Sequence, residues 1–153
     1  MKLRCKKIVA LIILQLVCIF VFAGCEDENV IERLKNRYGI DTQLLTNYEI
    51  ICDISGDTFT GYAPHYAVIQ LKIEPKEFLQ SYSDNKAGFS NSKNSEIENQ
   101  IDGHTCMEIP IEYCPDWNDN YIWNSISELG SLDNLYTIYF PNDYKLVFFE
   151  TGH

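Results

Sequence analysis

Three histidines and six cysteines are the side chains of this 153-residue chain best suited to ligating a metal or acting as nucleophiles, and their spacing decides what they can do. His65 stands beside a turn-rich stretch, His104 follows Gly103, and His153 ends the chain. His104, Cys106 and Cys114 offer nitrogen and sulfur donors, but neither C-x-x-C nor H-x3-H spacing is present to close a tetrahedral zinc site, so no metal is expected. Asp116, Asn118 and Asn120 set oxygen ligands at alternate positions, as at the start of a calcium loop. The sixth position is Tyr121 instead of Gly and the twelfth is Ser127 instead of Glu, which excludes an EF-hand. A looser cation or sugar contact remains for that stretch, with Trp117 and Trp123 as aromatic faces; the plainer reading makes them core or cap residues. Nucleophilic catalysis needs Ser or Cys within reach of His, and G-x-S-x-G is absent. With 22 carboxylates in the chain, any acidic pair is uninformative. The expectation is therefore no catalytic residue, no cofactor and a non-enzymatic role, with an envelope hydrolase as the competing class.

Cys25 has a different chemistry. Lys2, Arg4, Lys6 and Lys7 stand in the first seven residues without an acidic neighbour, and Ile8 to Ala23 is then apolar apart from Gln15, before the small pair Ala23-Gly24. That is the order of a secretory signal: basic region, apolar region, cleavage site. As a helix the apolar segment reaches roughly 24 Å, short of the about 30 Å of hydrocarbon that a spanning helix must cross. Phe22-Ala23-Gly24-Cys25 resembles the lipobox of bacterial lipoprotein precursors, with Phe22 where Leu is commonest. The resemblance covers Met1 to Cys25. It implies that the Cys25 thiol receives diacylglycerol and that cleavage before it makes Cys25 the new N-terminus. A thiolate is the side-chain nucleophile suited to that alkylation, and two acyl chains hold a protein at a bilayer where one is marginal.

Without residues 1–24 the chain carries eight basic and 22 acidic residues, a formal charge of −14 against −10 for the whole. Nucleic acid is excluded as a partner, since phosphates need Lys/Arg contacts and no basic stripe is present. An anionic lipid surface repels such a domain, so the lipid must do the holding. A cationic envelope protein is the partner that charge favours, although acidity also serves plain solubility.

Cys52, Cys106 and Cys114 follow the anchor, an odd number in a compartment that permits disulfides. Cys106 and Cys114 lie in a stretch that alternates like a strand. Extended, it would separate them by about 27 Å, against the about 7 Å between Cα atoms that a bridge tolerates. Either the stretch folds back or any bridge involves Cys52.

The elements that must position these groups follow from periodicity. Val30, Ile31, Leu34 and Tyr38 share a helical face, and Gly39 supplies a stop. Tyr48, Ile50, Cys52 and Ile54 alternate with Glu49, Ile51 and Asp53, which predicts a strand with one buried face; a second strand runs from Tyr66 to Ile73. Pro75 opens a helix through about Tyr82, and residues 83 to 95 read as a loop. Ser95-Glu96-Ile97-Glu98 matches a capping box, with Gly103 as the stop of a short helix. Met107 to Tyr113 alternates as an edge strand around Pro110, and Ile122, Trp123, Ile126 and Leu129 recur at helical spacing. Leu135 to Phe140 and Tyr144 to Glu150 form a hairpin about Pro141-Asn142-Asp143.

These elements predict an α+β domain, a mainly antiparallel sheet of about five strands with helices on one face. The chain divides into a signal peptide (1–24), a short lipid-anchored tether (25–29) and a single domain (30–153). Function is expected to be binding or accessory, exerted from the extracytoplasmic face of the cell membrane. Tyr62, Tyr66, Tyr136, Tyr139 and Tyr144 are candidates for an interaction surface, although the plainer reading has them line the sheet.

Overall fold

A computed structural model describes residues 28–55, 64–85, 88–105, 109–127 and 133–151. The signal segment, Cys25, the first residues of the tether, the link around Gly61, Cys106, Met107, Leu129 and His153 lie outside the described residues. Helix α1 spans Val30–Tyr38, α2 Lys76–Asn85 and α3 Ser95–Thr105, and strands β1 to β5 are Tyr48–Ser55, His65–Leu71, Ile122–Ser127, Asn134–Phe140 and Lys145–Glu150. All pairings are antiparallel, in the order β1-β2-β5-β4-β3. The domain is α+β with a five-stranded antiparallel sheet, as periodicity predicts.

Side chains alternate across a strand, and in the three central strands both sets are buried. Ala67, Ile69 and Leu71 of β2, Leu135 and Tyr139 of β4, and Leu146 and Phe148 of β5 pack in one cluster with Val30, Leu34 and Tyr38 of α1 and Phe78 and Tyr82 of α2. Tyr66 and Val68, Ile138 and Phe140, and Val147 and Phe149 pack in a second cluster with Ile97 and Ile101 of α3. Two helices thus share one face and the third takes the other, whereas the sequence reading puts the helices on one face; burial on both sides is why β2, β4 and β5 read as near-continuous apolar runs.

Helix α1 begins where Asn29 Oδ1 accepts the Glu32 N–H at 3.1 Å. It ends at Gly39, whose φ of 63° lies in the left-handed region that glycine enters without a Cβ penalty. Helix α3 is longer than its box suggests. Asn94, not Ser95, is the cap, its Oδ1 accepting from Glu96 N at 3.0 Å and Ile97 N at 3.3 Å. The helix runs through Gly103 to Thr105. Glu98 turns away from the helix end and accepts the Tyr121 hydroxyl at 2.6 Å, while Tyr121 Oη accepts the Asn94 N–H at 2.9 Å.

Two segments depart from their periodicity. Ile122 to Ser127 is a strand, not a helix: Ile122, Asn124 and Ile126 form the inward row, and Asn124, 2% exposed, interrupts its apolar character. Asn124 Nδ2 donates to the Gly88 carbonyl at 3.2 Å, while its Oδ1 is buried without a hydrogen-bond partner among the described residues, so the amide is only half satisfied. Ile111 to Tyr113 is a single 3-10 turn after Pro110, with Ile111 87% exposed, so the described part of that stretch folds back instead of forming an edge strand. In β1 a register shift between Ile50 and Cys52 moves the two residues to opposite faces, Ile50 against the first cluster and Cys52 within the second.

Candidate functional site

The polar residues that the fold gathers lie at one end of the sheet. Ser55, His65, Glu150 and Leu135 face one another across β1, β2, β5 and β4, and α1 arrives over this end. Val30 N–H donates to Asp53 Oδ2 on β1 at 2.9 Å, and Arg33 reaches Glu150 Oε2 on β5 through Nε at 3.1 Å and Nη2 at 2.7 Å. Arg37 Nη1 takes the other Glu150 oxygen at 2.8 Å. From Val30 to Arg37 a helix advances about 10 Å, the spacing of two strand intervals, so α1 crosses the strands from β1 to β5 and is fastened at both ends of that crossing.

His65 is 3% exposed, and its Nε2 lies 2.5 Å from Asp53 Oδ1. Burial opposes ionisation of Asp53, but the hydrogen bonds from His65 and Val30 and the positive charges of His65 and Arg33 outweigh it and hold the carboxyl below its ordinary 3.8. An Asp–His contact of this kind orients a general base in many enzymes. Here the imidazole is buried and both carboxylate oxygens are engaged, one by the ring and one by the first N–H of α1, so Asp53 joins β1 to β2 and to the start of the helix.

The opposite end of the sheet exposes three large apolar side chains among polar ones such as Asn47, Lys72 and Asp143. Tyr48 opposes Leu71 at the start of β1, Leu71 N–H donates to the Tyr144 carbonyl at 2.8 Å, and Ile73 follows two residues later. Tyr48, Ile73 and Tyr144 are 37%, 51% and 43% exposed, among the described residues the large apolar side chains most open to solvent besides Ile111. Asn47 and Tyr144 have φ of 54° and 50°, a left-handed region that Asn enters readily and that a bulky side chain such as Tyr rarely does. Their carbonyls receive Lys72 N–H (3.0 Å) and Leu71 N–H, so two left-handed residues flank the end of β2. At Tyr144 such strain costs on the order of 1–3 kcal/mol, and strain of this kind tends to cluster at functional sites.

Other residues singled out by sequence fall elsewhere. Asp116 Oδ1 accepts from Asn118 N at 3.0 Å and Asn118 Nδ2 at 2.9 Å, a local turn that uses the carboxylate internally. Trp117 donates Nε1–H to Asp102 at 2.8 Å and packs edge-on against Tyr121, and Trp123 donates to the Ser92 carbonyl at 2.8 Å. Tyr66 and Tyr139 are buried, and Tyr136 stacks on Phe149. Of the tyrosines named from sequence, Tyr144 is exposed at the tip and Tyr62 lies outside the described residues. His104 is on the last turn of α3. Among the described residues no group of three or more His, Cys, Asp or Glu is arranged to hold a metal, and no helix is long and apolar enough to cross a membrane. Sequence reasoning missed Glu150, Arg33 and Arg37, whose only prior signal is charge inside an otherwise apolar strand end and on one helix. No protein-family model, no curated protein and no solved structure matches this chain.

Proposed function

We propose that this protein is a lipid-anchored lipoprotein of the bacterial envelope that binds a cationic envelope protein without catalysing a reaction. The observation that carries this reading is the polarity of the domain. Helix α1, which begins five residues after Cys25, is fastened at the Asp53–His65–Glu150 end of the sheet, and Tyr48, Ile73 and Tyr144 are exposed at the other. From His65 to Leu71 the strand rise puts about 20 Å between the two ends. An anchor at Cys25 therefore turns the aromatic tip away from the bilayer, and the excess of acidic residues steers a basic partner toward it.

The test uses the full chain in lipid vesicles. A basic envelope protein is expected to be captured at low salt and released at high salt. Tyr48→Ala combined with Tyr144→Gly, the latter a change that the left-handed backbone accepts, should weaken capture at least tenfold with the fold intact by circular dichroism. Equal capture by the variant, or none by the wild type at low salt, refutes the binding reading. The envelope-hydrolase alternative draws on the Asp53–His65 contact alone, and hydrolysis lost on His65→Gln in a protein that still folds would favour it.

A further inference from the structure

The sheet face opposite α1 and α2 carries two thiols, one from β1 and one from the turn that docks on Tyr66. Cys52 of β1 is a buried thiol that pairs with Val68 across β1 and β2 and packs in the cluster that contains Tyr66, which opposes Ile54 two residues further on. Cys114 closes the 3-10 turn Ile111–Tyr113, and that turn is fastened to the same face by Tyr66 Oη, which donates to the Tyr113 carbonyl at 2.7 Å. The Tyr66 side chain thus rises from the strand pair that carries Cys52 and ends on the peptide unit that leads into Cys114. Burial, then the charges of Asp53, Cys114 and Glu112, push the Cys52 thiol up to about 11. Burial followed by Cys114 and Cys52 likewise raises the Tyr66 hydroxyl. Cys114 is half-buried, and its thiol points to the Pro110 carbonyl at 3.8 Å.

We propose that Cys52 and Cys114 are a dithiol pair that closes into a disulfide, with a small-molecule or protein disulfide as the oxidant, and so pins the Ile111–Tyr113 turn to edge strand β1. The order of events follows from exposure. The Cys114 thiolate attacks the donor disulfide, forms a mixed disulfide and releases one donor thiolate. Cys52 then gives up its proton and attacks Cys114 Sγ, forming the Cys52–Cys114 bond and releasing the second donor thiolate. The protein loses two protons and two electrons, and the donor gains them as two thiols. Cys52, buried and held protonated, is a poor first attacker, which sets the sequence. Occurrence of the bond in cells rests on the extracytoplasmic reading above, because that compartment supplies the donor; the geometry does not.

The experiment treats the full chain in detergent with a graded series of oxidised to reduced glutathione, alkylates remaining thiols and maps the linkages by mass spectrometry. The expected result is a peptide pair joining Cys52 to Cys114, two mass units below the reduced pair, that persists in Cys106→Ser and is lost in Cys114→Ser. The oxidised form should unfold roughly 10 °C higher than the reduced one. Cys114→Ser changes a half-exposed residue, so it tests the linkage without the core disruption that Cys52→Ser risks. A Cys106–Cys114 linkage, arrest at glutathionylated Cys114, or full alkylation of Cys52 under oxidising conditions overturns the proposal. Formation with glutathione, but absence from chain isolated with bacterial membranes, supports the dithiol pair and counts against the extracytoplasmic location.

Discussion

Glu150 is the side chain through which α1 meets the centre of the sheet. It is 3% exposed and its two oxygens take Arg33 and Arg37. Replacing it with Gln leaves the largely buried Arg33 guanidinium facing an uncharged amide, while Arg37 is partly exposed and keeps Glu28 nearby, so Glu150→Gln should destabilise the protein by about 3 kcal/mol, read as a lowered urea midpoint. Asp53 gives a pH signature. Its carboxyl is held below 3.8 in the folded protein, so the unfolded chain binds the proton more tightly. The stability that Asp53 contributes is complete above 3.8 and is lost as pH falls through its lower folded value. Urea midpoints should therefore drop on acidification below about pH 4, and Asp53→Asn should flatten that part of the profile. His65 was visible in the sequence as a histidine beside a turn, but its partner was not. Asp53 lies on the neighbouring strand, and Glu150 lies 117 residues from Arg33, a separation across which no local pattern reports contact.

At the scale of elements, α3 separates a motif from its mechanism. Ser95-x-x-Glu98 has the letters of a capping box, but Asn94 makes the cap and Glu98 binds Tyr121. Asn94→Ala should cost about 1 kcal/mol, and Ser95→Ala should lie within about 0.5 kcal/mol of wild type, both by urea denaturation. The helix α1, the strands β1 and β2 and the terminal hairpin were legible, because each has an apolar period longer than a few residues and a turn signal at its end. Strand β3 was not. Its inward row is Ile122, Asn124 and Ile126, and the buried amide hides the period of two, while Trp123 and Leu129 complete a chance period of 3.6. Pairing with β4 along six residues decides the matter. The stretch after Cys106 fails for the converse reason: its letters alternate, but Pro110 and the Tyr66–Tyr113 hydrogen bond fold it into a turn.

For the whole molecule, the central prediction concerns attachment. Cys25→Ala should abolish incorporation of labelled fatty acid and leave an unprocessed precursor, checked by metabolic labelling and electrophoretic mobility; labelling that persists would remove the anchor from the account. The same full chain, held at the bilayer, should expose Tyr48 and Tyr144 to a water-borne modifying reagent more readily than Tyr66 or Tyr139, which are buried. By itself the sequence determined composition, charge, the lipobox-like segment and most of the local elements, because those depend on residues near one another in the chain. The tertiary structure alone decided that both sheet faces are covered, that α1 is tied by Asp53 and Glu150 to one end of the sheet, that Tyr48, Ile73 and Tyr144 are exposed at the other, and that the Tyr113–Cys114 peptide docks on the face that carries Cys52. Each of these arises from strand pairing and burial between distant segments, whose free energy belongs to contacts that no stretch of sequence contains.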